Sequence, residues 1–164
     1  MAKGHDKIIA DGKKFFKKME DLSKLQVRVG FQRGEHVDDR GTDMVDIAAW
    51  NELGTSGMPS RPFLRRTADA EKATIEKVME AQLKKAVQGG SAEQALNGVG
   101  SVVKGLVQDT ITRSKEWAAE NEDSTIKQKN RKKSTNRTAS SAAPLIDSGK
   151  MFQSVHYVIK PREG

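Results

Sequence analysis

The chain has 164 residues, of which 35% are hydrophobic, 5% aromatic and 31% charged, with a net charge of +7. A compact domain usually carries about 45–50% apolar residues, so a small core is expected, with some apolar faces needing a neighbour, although a polar insertion dilutes composition in the same way. The absence of cysteine excludes disulfides, thiolate metal sites and thiol nucleophiles and fits a reducing compartment. The first residues hold no apolar run long enough for a signal peptide, and no stretch reaches the ~18 apolar residues of a membrane span. The positive excess favours polyanionic partners: nucleic acid, an acidic protein face or an anionic surface.

In chain order, residues 6–22 read as an amphipathic helix. Ile8, Phe15, Met19 and Leu22 recur at helical spacing, with Lys13, Lys14, Lys17 and Lys18 on the other faces. "LQVRVGF", residues 25–31, alternates as a half-buried strand does, and the polar, glycine-flanked stretch after it reads as a loop. Thr42 or Asp43 can cap a helix over 43–53, with Gly54 as its stop. A long helix is predicted after Pro62, whose missing N–H suits a first helical turn, ending at Gly89 and Gly90.

Ser91 and Gln94 form a capping box for the clearest helix in the chain, whose apolar positions run from Ala92 to Ile111. Gly98, Gly100 and Gly105 weaken it by roughly 1 kcal/mol each. Gly98 and Gly105 are seven apart, so they share a face that either admits another backbone or simply leaves the helix looser. Residues 119–143 are low in complexity and carry Lys127, Lys129, Arg131, Lys132, Lys133 and Arg137. Almost nothing there can be buried, so the segment is predicted to be mobile in the free protein. A short helix started by Asp147 or Ser148 and a strand through Val155, Tyr157 and Ile159 complete the chain. The expected fold is α+β: a small antiparallel sheet of the first and last strands, packed with two long helices and shorter ones, plus a flexible basic segment.

Catalytic chemistry is hard to find. His5, His36 and His156 are scattered, no phosphate-binding glycine–lysine loop is present, and Ser148 with His156 lacks a third partner. Glu35, Asp38, Asp39 and Asp43 are an acidic group that can in principle hold a divalent metal, but they lack the glycine and carbonyl positions of such loops and read better as a solvated loop. No enzyme, cofactor or metal site is expected.

The densest pattern is "GTSGMPSRPFLRRT", residues 54–67. Two glycines permit unusual backbone angles while Pro59 and Pro62 fix theirs, so the stretch reads as a stiff elbow delivering Phe63 and Leu64 to the base of a helix. Arg61, Arg65 and Arg66 flank that pair. Their planar forks suit carboxylate or phosphate, and an apolar anchor among arginines is also how an interface hot spot looks. The plainer alternative is a helix start with Phe63 in the core.

"WNELGTSGMPSRPFLRRT" resembles a signature of the neck proteins of tailed bacteriophages. Asn51, Glu52, Leu53, Gly54, Thr55, Pro59, Arg61, Pro62, Phe63, Leu64 and Arg65 match it, while Met58 stands in place of the usual isoleucine. A second signature of the family, Pro-Leu-Ile-Asp-Thr-Gly, is matched by Pro144, Leu145, Ile146, Asp147, Ser148 (for threonine) and Gly149, with Ser154 and Val155 following. The two motifs stand in the family's order, about eighty residues apart, and the resemblance covers most of the chain. It implies a single tail-completion-like domain over 1–164 with an insertion at 119–143. It also implies a virion structural protein that completes the top of the tail and joins it to the head connector. Such proteins act as rings, most often six-fold, between tail tube or terminator and connector, and are assembled in the bacterial cytoplasm. In that setting Gly54, Thr55, Arg61, Pro62, Phe63, Leu64, Arg65, Asp147, Ser148 and Gly149 carry structural or inter-subunit roles. The basic residues 127–137 meet either genomic DNA in the lumen or an acidic neighbouring ring. The competing class is a basic nucleic-acid-binding protein, for which neither a recognition helix nor stacking aromatics is visible.

Overall fold

The computed structural model describes residues 2–123, 125–127 and 143–162. In order these form α1 (Ala2–Ser23), β1 (Leu25–Gly30), α2 (Met44–Leu53), α3 (Phe63–Ala70), α4 (Lys72–Val87), α5 (Ala92–Thr112), a 3-10 turn (Arg113–Glu116), α6 (Lys150–Ser154) and β2 (His156–Pro161). The fold is α+β, with β1 and β2 paired antiparallel, as the alternation of the two strands predicts. The chain divides into two compact units, one of Met1–Arg28, Ala73–Val102 and Tyr157–Gly164, the other of Val29–Lys72 and Val103–His156.

The first unit holds α1, most of α4 and the first half of α5. Its strands are tied at the end of the ladder by Arg162 N–H donating to Lys24 O at 2.7 Å. The predicted capping box forms: Gln94 N–H donates to Ser91 Oγ at 3.1 Å, and Ser91 N–H to Gln94 Oε1 at 3.0 Å. Lys18 spans from α1 to the end of α4, donating from Nζ to Ala86 O at 2.6 Å and Gly90 O at 3.2 Å. At Ala86 it meets a carbonyl in the last turn of α4 and suits the negative end of the helix dipole. The close approaches on α5 fall at Gly98 and Gly100 instead of Gly98 and Gly105. A Cβ on Gly98 would lie 2.5 Å from Gln82 Cδ, and one on Gly100 would lie 2.4 Å from Tyr157 Cδ2, whereas Gly105 faces open space. Side chains, not a second backbone, fill the notches, and Tyr157 completes its seat by donating to Asn97 Oδ1 at 3.2 Å.

The second unit contains the principal core: Met44, Ala48, Phe63, Val107, Ile111, Leu145, Met151 and Val155, with Val29, Phe31, Ile47, Leu64, Trp117, Ile146 and Phe152 packed on it. Phe63 is fully buried and meets Phe31 edge-to-face, ring centroids 5.9 Å apart, a favoured aromatic geometry. Two predicted elements differ in detail. The long helix after Pro62 breaks at Glu71 into α3 and α4, because the chain there leaves helical angles (φ −102°, ψ 12°). The short C-terminal helix begins at Lys150, after Asp147 and Ser148, because Gly149 takes a left-handed φ of 78° immediately before it.

Candidate functional site

The first motif closes on itself. Gly54 ends α2 with its N–H on Trp50 O. Its φ of 78° and ψ of 173° belong to a region essentially reserved for glycine, and a Cβ there would come within 2.9 Å of Ser60 N. Thr55 and Met58 exchange main-chain hydrogen bonds of 2.9 and 3.3 Å, making a tight turn. Asn51 is the hub. Its carbonyl accepts Arg61 N–H at 2.6 Å, its Oδ1 lies 3.4 Å from Arg61 Nη1, and its Nδ2 donates to Ile47 O at 2.8 Å. Pro62 occupies the position before α3 and supplies no side-chain cap. The cap comes from Glu52, whose two carboxylate oxygens accept Leu64 N–H at 2.8 Å and Arg65 N–H at 3.0 Å. With Phe63 N–H on Arg61 O at 2.8 Å and Arg66 N–H on Pro62 O at 2.9 Å, every donor of the first turn of α3 is satisfied.

Arg61 is only 4% exposed. Its Nε donates to Ala119 O at 2.8 Å and its Nη2 to Glu120 O at 3.1 Å. The guanidinium therefore fixes the start of the predicted insertion through main-chain carbonyls, and burial pulls its pKa below the ordinary arginine value. Leu64 is half-buried and Arg65 is exposed. Arg66 is exposed too, with its guanidinium 5.1 Å from the centre of the Trp117 ring, within cation–π range.

The second motif lies in the same unit. Leu145 is buried in the core with its N–H 3.3 Å from Ser114 Oγ. Ser148 Oγ is 3.4 Å from Lys150 N, and Gly149 supplies the left-handed turn before α6. Residues of both motifs line one open groove with a cavity volume of about 370 Å³: Asn51, Met58 and Arg61 from the first, Pro144, Leu145, Asp147, Ser148 and Gly149 from the second. Asn121 and Thr125 line it as well. Lys127 is exposed, while Lys129, Arg131, Lys132, Lys133 and Arg137 lie outside the described residues.

The acidic group of the loop before α2 is engaged in local structure. Asp43 caps α2 by accepting Val45 N–H at 2.8 Å and also accepts Gly34 N–H at 2.7 Å. These two bonds hold its carboxyl below the ordinary value. Asp38 accepts Thr42 N–H and Arg40 N–H, both at 2.8 Å, and is held low by the Thr42 bond first and the Arg40 bond second. Asp39 pairs with Lys150 Nζ at 2.8 Å, and Glu35 lies 3.7 Å from His156 Nε2. Among the described residues no three His, Asp or Glu side chains are placed to hold a metal ion, and no helix is long and apolar enough to cross a membrane.

Sequence reasoning placed Glu52 in the motif without its role. Acid-then-glycine spacing ahead of a proline-led helix is the signal that could have found it, since Pro62 cannot cap α3 itself. It also missed the hydroxyl pair of Thr67 and Thr110, whose Oγ1 atoms are 2.8 Å apart, and the buried Ser114. No local pattern announces either. Comparison with protein-family models, with curated proteins and with solved structures found no match.

Proposed function

We propose that this chain is a virion structural protein of a tailed bacteriophage, a subunit of a ring in the neck that completes the top of the tail and joins it to the head connector. The observation that carries the reading is the convergence of the two motifs. Segments about eighty residues apart in sequence, each resembling the neck family, line a single groove of one compact unit.

The proposed role needs no catalytic group. It needs a rigid scaffold, which the elbow supplies, and surfaces for other subunits, tail proteins and connector. The basic residues 127–137 would serve as contacts for DNA in the lumen or for an acidic neighbouring ring. Salt separates these uses, because phosphate contacts weaken steeply as salt rises.

The test is electron microscopy of a lysate from a phage with a nonsense mutation in this gene. Filled heads beside detached tails of normal length are expected for a joining role, and overlong or ragged tails for termination. Normal infectious particles would refute the proposal. The net charge of +7 favours one alternative, a nucleic-acid-binding protein, which predicts duplex binding by the purified chain that persists at moderate salt.

A further inference from the structure

Arg61 is the one charged residue buried among the described residues. Its acceptors are all neutral: the main-chain carbonyls of Ala119 and Glu120 at 2.8 and 3.1 Å and the amide oxygen of Asn51 at 3.4 Å. A guanidinium carries five N–H groups and does not give up its proton. Three of them donate here, one each from Nε, Nη1 and Nη2, which leaves one N–H on each terminal nitrogen without an acceptor among the described residues. No carboxylate of a described residue pairs with it, and burial is the sole cause of its lowered pKa. A buried charge is usually matched by an opposite one. This one is held by dipoles alone, with part of its fork still unspent.

The same residue lines the groove of the second unit, whose apolar lining comes from Met44, Ile47, Met58, Leu145 and Met151. Apolar walls with a few placed polar groups are the usual make-up of a binding pocket, and about 370 Å³ is the size of a small one. Three methionines among five apolar side chains let the walls adapt to what lies on them. The groove's other charges are engaged elsewhere: Lys150 pairs with Asp39, and Asp38 accepts the N–H groups of Arg40 and Thr42.

We infer that this groove receives a peptide of a partner protein that presents one carboxylate among aliphatic side chains, the carboxylate meeting the unspent N–H groups of Arg61 and the aliphatic groups lying on the methionine walls. A planar carboxylate matches an arginine fork. A phosphate dianion would bring more negative charge beside Asp38, Asp39 and Asp147, which line the same groove. The groove is open, so an extended chain can lie along it. The inference goes beyond the neck reading and stands without it, because it rests on Arg61 and the groove alone.

The test is titration of the full-length, nitrogen-15-labelled protein with blocked tripeptides, followed by NMR. The Nε–H of Arg61, held on Ala119 O, gives a signal of its own. N-acetyl-Leu-Glu-Leu-amide is expected to shift that signal and the main-chain N–H signals of Ser148 and Gly149 saturably. It should bind at least about tenfold more tightly than the analogue with glutamine at the centre, which keeps the shape and loses the charge. Equal binding of the two peptides, or no shift at Arg61 with either, would overturn the inference, and this comparison needs no variant. Inorganic phosphate or hexanoate saturating the same signals as tightly as the glutamate peptide would overturn a peptide as the occupant. Ser148 is exposed and lines the groove, so Ser148→Trp should keep the native circular dichroism and abolish the shifts. A folded Ser148→Trp protein that binds the glutamate peptide undiminished would place the peptide elsewhere and overturn the assignment.

Discussion

Replacing Glu52 by alanine removes the only side-chain cap of α3 without touching the core. Two main-chain N–H groups, those of Leu64 and Arg65, lose acceptors at 2.8 and 3.0 Å. Hydrogen bonds to a charged acceptor contribute about 1.5–3 kcal/mol each when sheltered. Here the site is only half-buried and water can take over both donors, so the net loss falls to about 1–2 kcal/mol, the usual cost of deleting a helix N-cap. For a chain of this size that lowers Tm by roughly 2–8 °C. Glu52→Gln should fall between, since an amide offers one oxygen and turns its NH2 toward the other donor. Urea unfolding followed by far-UV circular dichroism measures the change as a shift in midpoint at constant slope. The exposed Glu76 on α4 supplies the control, with Glu76→Ala expected within about 0.5 kcal/mol of the natural chain. If Glu52→Ala unfolds with the control, the Glu52 carboxylate does not stabilise the start of α3.

Gly54→Ala should destabilise more than Gly149→Ala in the same urea assay. The first has a glycine-only conformation and a Cβ 2.9 Å from Ser60 N, while the second has φ 78° but no contact closer than 4.0 Å. Costs of about 1–3 and 1–2 kcal/mol are expected, the first raised further by the clash. Arg61→Lys keeps the charge but cannot reach Ala119 O, Glu120 O and Asn51 together, so limited proteolysis near residue 120 should accelerate several-fold; an unchanged cleavage rate would count against the clamp. Asp38 and Asp43 have folded pKa values depressed below the ordinary 3.8. Their stabilisation is therefore complete above that value and lost as pH falls through the lower folded values. Amide exchange of Thr42 and Val45 should show loosening in that acid window, and Asp43→Asn should abolish the pH dependence at Val45, because an asparagine cap does not titrate.

Elements with a local cause were legible in the sequence. Alternation defined β1 and β2, the Ser91–Gln94 box set the start of α5, and Asp43 and Gly54 bounded α2. The elbow was legible as a stiff turn from Gly54 and its prolines, and Phe63 as a core anchor in the plainer of its two readings; Gly57, expected to need unusual angles as well, has no positive φ and no close neighbour. What escaped depended on distant partners. The break at Glu71 interrupts a sequence with good helix formers on both sides, so composition offered no warning. Tyr157 selects Gly98's neighbour Gly100 as the notch that matters, and nothing near Gly100 says so. Arg61 looked like a free fork for an anion, yet its acceptors are carbonyls almost sixty residues away. The arginines alike in sequence part company in space: Arg61 is inside, while Arg65 and Arg66 are out.

Asn121 and Pro144 meet in the second unit. Asn121 Nδ2 lies 3.5 Å from Pro144 O, Arg61 holds Ala119 and Glu120 on one side, and Ser114 holds Leu145 on the other. With the two ends already held together, doubling the length of a flexible connection between them would cost only about 0.6 kcal/mol in closure entropy. A longer peptide joining these two ends would therefore leave the packing of Phe63, Ile111, Leu145 and Val155 in place. A single proteolytic nick there would leave two polypeptides still joined by the core of Phe63, Ile111, Leu145 and Val155, one body in solution and two bands on a denaturing gel.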